Sequence, residues 1–145
     1  MLGIVAQLTC LIVTLGSDPA QEELARHQGT WAVTAFVRDG EETPKEIATS
    51  IIRIVDGDHV TWKREGKSFA GTSLILDPST DPRSLDVIPD GGPWKDQRVL
   101  GIYKREGEIL TICMAAPTMP RPRAFTARSG SGWTLMTFRR EPVKP

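Results

Sequence analysis

Four aspartates, Asp77, Asp81, Asp86 and Asp90, crowd into the stretch LDPSTDPRSLDVIPD. Carboxylates at this density are the raw material of a calcium loop or of a paired general acid and base. A calcium loop sets its acidic ligands at alternate positions around a central glycine, and that pattern is lacking here. The contexts DPSTDP and LDV place short carboxylates beside proline and serine, where they bond their own backbone and fix turns. The stretch is therefore read as structural turns.

The remaining chemistry-bearing residues are few. His59 lies beside a turn with no second ligand at metal spacing, and His27 is expected on a helix surface, so no zinc site is predicted. Cys113 sits within ILTICMA; a thiolate nucleophile needs a base, and both histidines lie in unrelated segments. A small packed apolar residue is the reading for Cys113. Ser129-Gly130-Ser131-Gly132 lacks the flanking pattern of a nucleophile elbow and the lysine of a phosphate loop, and reads as the turn before a last strand. No catalytic residue, metal or cofactor is predicted, and the chain is expected not to be an enzyme.

The elements that carry these residues follow one rhythm. Gln21 to Gln28, QEELARHQ, reads as a short helix stopped by Gly29. Beyond it, β-branched runs alternate with turn clusters, giving candidate strands at 30–38, 47–55, 59–65, 67–76, 84–89, 98–105, 108–114, 122–127 and 133–140. A chain of 145 residues fits one domain, placed at 21–145, with no linker or repeat inside it.

Hairpin patterning sets a first register. A three-residue loop at Asp56-Gly57-Asp58 pairs Ile54 with Val60 and Ile52 with Trp62, collecting the apolar residues on one face and leaving Arg53, Thr61 and Lys63 on the other. A two-residue loop mixes arginine with tryptophan, so the longer loop is expected. Around Glu106-Gly107-Glu108 either loop places Leu110, Ile112 and Met114 on one face and Cys113 on the other. One apolar and one mixed face, joined by tight turns, predict an antiparallel meander that closes on itself.

At the entrance to the first strand stands Gly29-Thr30-Trp31, and late in the last strand stand Arg139 and Arg140. This resembles the closure of lipocalin-type barrels: glycine turns the chain from helix to strand, the indole plugs the narrow end, and a guanidinium lies across it. Alternation puts Met136, Phe138 and Arg140 on one face, so the closing residues are expected to be Gly29, Trp31 and Arg140. The expected fold is all-β, an antiparallel lipocalin-like up-and-down barrel of about eight strands with a short N-terminal helix. The order QGTW, LDPSTDPRSLDV, GIYKREGEILTIC, RPRAF and SGSGWTLMTFRRE, spread from Leu24 to Glu141, resembles a family of lipocalin-like domains of unknown function numerous in planctomycete bacteria. The resemblance implies fold and an extracytoplasmic location but supplies no catalytic residues. Trp133 departs from it, standing where a smaller polar residue is expected.

Location and partners are read from the rest. Leu2 to Leu15 is apolar and uncharged, too short to cross a bilayer, and of the length of a secretory h-region, although no Lys or Arg precedes it. A signal peptide at 1–16, cleaved before Ser17, is expected, and with it a periplasmic or secreted mature chain with no membrane span. Cys10 would leave with the signal, so Cys113 has no partner for an internal disulfide. The chain carries 18 Lys plus Arg and 18 Asp plus Glu, so no global field favours nucleic acid or an anionic membrane. The clusters Arg121/Arg123 and Arg139/Arg140 read as solvated strand ends. Two function classes remain. Ile52, Ile54, Trp62, Leu110, Ile112 and Met114 either line a pocket for a small apolar or amphipathic ligand or fill the barrel of a structural or protein-interaction module.

Overall fold

Asp18 starts the first helix: its carboxylate accepts from the Ala20 amide at 3.0 Å, and Pro19, which has no amide hydrogen to orphan, opens the first turn. A computed structural model describes residues 18–143; the expected signal peptide, with Cys10, lies outside the described residues. Helix α1 (Pro19–His27) leads into β1 (Gly29–Arg38), followed by β2 (Glu41–Glu42), α2 (Lys45–Ala48), β3 (Ile51–Asp56), β4 (His59–Arg64), β5 (Lys67–Asp77), β6 (Arg83–Pro89), β7 (Gly101–Glu106), β8 (Ile109–Met114) and β9 (Thr134–Arg140). From β3 to β9 each strand pairs antiparallel with the next, and β1 pairs with both β3 and β9. Eight strands thus close into an antiparallel barrel, while β2 adds only a two-residue ladder to the end of β1. Closure leaves no long unpaired edge among these strands.

The core fills the barrel. Trp31, Val33, Val55, Val60, Leu74, Leu85, Tyr103, Leu110, Ile112 and Phe138 are all buried in one cluster. Two bulges bend the wall. One falls in β1 between Val33 and Ala35 opposite β9; the other leaves Phe69 unpaired on β5, between the pairs Trp62–Ala70 and Lys63–Ser68. A bulge re-aims a side chain, and Phe69 is 58 % exposed.

Three expectations about elements need correction. The candidate strand at 122–127 is irregular chain: Pro117, Pro120 and Pro122 bring no amide hydrogens to a ladder, and the segment instead lies over the outer face of β7 and β8. There Ala115 and Ala127 are buried, and the Cys113 thiol donates to the Thr126 carbonyl at 3.3 Å. The candidate at 47–55 begins as helix α2 after Pro44, with strand only from Ile51. The candidate at 98–105 begins at Gly101, Val99 making a lone bridge to Val87.

The β3–β4 register is the larger correction. Asp56 pairs with His59, Ile54 with Thr61, Arg53 with Trp62 and Ile52 with Lys63, so the loop has two residues, Gly57 and Asp58. Gly57 takes φ 61° at the first loop position, a left-handed value that glycine adopts without cost and that suits a two-residue hairpin. The register shift of one residue turns the whole strand over. Arg53 and Val55 face inward and are buried, while Ile52 and Ile54 sit half-buried on the outer face.

Candidate functional site

The closed end is built by α1 and the two closing strands. Gly29 has φ 107°, a conformation side-chain-bearing residues rarely adopt, and it redirects the chain from helix to β1. Trp31 is buried, and its indole N–H donates to the His27 carbonyl at 2.9 Å. Trp31 pairs with Arg140 across the β1–β9 seam, and the Arg140 guanidinium lies 4.2 Å from the indole centroid. That guanidinium also donates to the Gln28 and Arg26 carbonyls at the end of α1 and pairs with Glu108 at 3.1 Å. A cation there satisfies carbonyls that the helix terminus leaves open.

Beneath this plug sits a polar cluster. His27 is buried, not on the helix surface as its sequence context leads one to expect, and among the described residues neither ring nitrogen has a hydrogen-bond partner. Burial, reinforced by the Arg53 charge, lowers its pKa to about 3, so the ring is neutral. Its ring meets Tyr103 edge-on at 5.0 Å. Tyr103 donates to Glu23 at 2.9 Å, and Arg26 and Arg83 pair with the same carboxylate at 2.9 and 3.2 Å. Burial works to raise the Glu23 pKa, but the hydrogen bonds from Tyr103 and Arg26 outweigh it and hold the carboxyl below its usual range.

Above the plug, the barrel is hollow in two stages. An inner chamber of about 160 Å³ is lined by Arg53, Val60, Trp62, Thr72, Leu85, Val87, Val99, Ile112, Met114 and Met136. An outer cavity of about 690 Å³ at the mouth is lined by Phe36, Arg38, Ile51, Trp62, Phe69, Trp94, Met114, Met136 and neighbours. Trp62, Met114 and Met136 line both. Trp94, 43 % exposed, comes from the β6–β7 loop, which is tied to the barrel by Asp90 N–H to the Gly71 carbonyl at 3.1 Å and by Asp90 to His59 at 3.0 Å.

Of the residues expected to line a pocket, the structure gathers Trp62, Ile112 and Met114 around the cavities, and Leu110 is buried in the core beside them. Ile52 and Ile54 are corrected to the outside of the wall, since Arg53 takes the inward position between them. Arg53, Thr72, Met136, Phe69 and Trp94 were not foreseen. The Gly57-Asp58 dipeptide was the available signal for Arg53, because glycine at the first loop position marks a two-residue loop. The bulge that frees Phe69 has no local sequence signature.

The aspartates divide. Asp77 accepts from the Ser79 amide and hydroxyl at 3.0 and 2.6 Å, an Asx-type turn. Asp86 is no turn residue: it sits buried on the outer face of β6 and is gripped by Arg121 through both terminal nitrogens and by Arg98 at 2.8 Å. Arg121 also donates to the Gly101 carbonyl at 2.7 Å, so it is a latch for the 115–128 segment, not a solvated charge. Among the described residues no group of three His, Cys, Asp or Glu side chains is placed to hold a metal ion, and no helix is long and apolar enough to cross a membrane. Comparison of the chain with family models, curated proteins and solved structures found no match.

Proposed function

We propose that this protein is an extracytoplasmic, lipocalin-like binding domain that holds a small apolar or amphipathic molecule in its barrel. The observation that carries this reading is the two-stage cavity: an apolar mouth of about 690 Å³, within the range of small-molecule sites, leading past Trp62, Met114 and Met136 to an inner chamber. The exposed rings of Phe69 and Trp94 at the rim support it, since exposed aromatics beside a concavity mark contact surface. Methionine walls favour adaptable apolar contact. Extracytoplasmic placement rests on the apolar leader and on the family resemblance.

A binding module fits the side chains better than an enzyme does. His27 is held neutral with a pKa near 3, out of the range of a base at neutral pH. Burial raises the Cys113 thiol and leaves it pointing away from the cavities. The second reading, an interaction module with a self-filled barrel, draws on the packing of Trp62 against Phe138 at 5.9 Å and of Arg53 over the same ring at 5.8 Å. Native mass spectrometry of protein purified from its own host separates the two: a discrete small-molecule adduct supports the binding reading, and bare protein mass under conditions that preserve known lipid complexes supports the filled barrel.

A further inference from the structure

The least expected feature of the barrel is a charge. Arg53 is 1 % exposed, and among the described residues neither terminal guanidinium nitrogen has a hydrogen-bond partner. Among the described residues, the attraction found for its guanidinium is the Phe138 ring face, 5.8 Å away. An isolated buried cation costs several kcal/mol of solvation, and proteins normally pair it. Among the described residues no carboxylate pairs with it, and the carboxylates of the closed end are committed elsewhere: Glu23 to Tyr103, Arg26 and Arg83, and Glu108 to Arg140. Thr72 adds a second orphan, since its hydroxyl is buried without a partner among the described residues. Both residues line the same inner chamber, whose other walls are Val60, Leu85, Val87, Val99 and Ile112.

Two polar groups converging in an apolar chamber define the complement. We propose that the inner chamber seats the carboxylate of an amphipathic monoanion, with Arg53 and Thr72 donating to the head and the apolar tail leaving past Trp62, Met114 and Met136 to the mouth. This rests on the barrel-binding reading and names its ligand class. The guanidinium offers a planar fork matched to two carboxylate oxygens, and the threonine hydroxyl is a single donor beside it. Burial draws the Arg53 pKa down to about 9, which leaves the guanidinium charged at neutral pH. The chamber, of the size that accommodates a six-carbon ring, leaves space for the head and the first carbons, and the larger mouth takes the rest of the tail.

The test compares decanoate with decanol, which share a tail and differ in head, by calorimetry on protein first stripped of bound lipid. The wild-type chain is expected to bind decanoate at least about ten-fold tighter than decanol, the discrimination a charged hydrogen bond supplies. Arg53→Met is expected to abolish that preference while keeping decanol affinity within about three-fold, and Thr72→Val to weaken decanoate alone by about three-fold. Arg53→Lys, which keeps the charge and loses the fork, should fall between. Equal wild-type affinities for the two probes overturn the anion seat and leave the barrel-binding reading standing. Absence of binding by either probe overturns both.

Discussion

The Arg140 guanidinium stacks 4.2 Å from the centroid of Trp31, and the two residues are directly paired across the seam between the first and last barrel strands. Closure, plug and helix docking meet at this one contact, because Arg140 also holds the Arg26 and Gln28 carbonyls of α1. Trp31→Ala removes a fully buried ring and should cost about 3–5 kcal/mol of unfolding free energy. Arg140→Ala should cost about 1–2 kcal/mol. In urea titrations the double mutant should lose less than the sum, since each single change already breaks the shared contact. A strictly additive cycle would show that the stacking carries no energy.

His27 makes stability depend on pH. Its folded pKa, near 3, lies below the ordinary value of 6.5 in the unfolded chain, so between those values the unfolded state binds the extra proton and stability falls as pH falls. From pH 7 to pH 5 the loss should be about 2 kcal/mol. Below the ordinary carboxylate range Glu23 and Asp86, both held low, add to the loss as pH drops through their folded values. His27→Leu should flatten the slope between pH 5 and 7 and leave the acid limb in place; an unchanged slope would assign it to another group.

Asp86 anchors the irregular segment over the outer face of β7 and β8 through Arg121, and the chain leading into β7 through Arg98. Asp86→Ala leaves Arg121, itself only partly exposed, facing the barrel wall without its counter-charge, and should cost about 3–5 kcal/mol. Hydrogen exchange should quicken first in residues 115–128 and at the Gly101 end of β7. Arg98→Ala, whose partner keeps the bidentate Arg121 contact, should cost no more than about 1 kcal/mol.

Much of the fold was legible in the sequence because closure depends on residues with strong local logic. Gly29, Trp31 and Arg140 announce the seam by conformation, size and charge, and alternation separates Leu110, Ile112 and Met114 from Cys113. The interior was not legible at β3. Pattern reading assigns apolar side chains inward and charges outward, and the sequence IIRIVD invites Ile52 and Ile54 into the barrel. A two-residue loop at Gly57-Asp58 reverses that choice and buries Arg53 opposite Trp62. Similarly His27 reads as a polar helix residue until α1 docks over the plug and covers it. In each case long-range packing overrides the polarity of the side chain.

If Arg53 is retained for a ligand, it is a burden on the empty protein. Arg53→Met should therefore raise the unfolding free energy of ligand-free protein by about 1–3 kcal/mol, as replacing buried charge with apolar volume often does. Thermal unfolding of stripped protein measures this. A loss of stability would mean that the guanidinium earns its place by packing on Phe138.

The most direct measurement follows the methionine methyl groups by NMR. Met114 and Met136 line both cavities, whereas Met119 is exposed on the outer segment. Titration of stripped protein with decanoate should shift the Met114 and Met136 methyl signals saturably, with contacts from those methyls to the ligand chain, and leave Met119 unmoved. Unchanged Met114 and Met136 signals, with or without a drift at Met119, would contradict ligand binding inside the barrel.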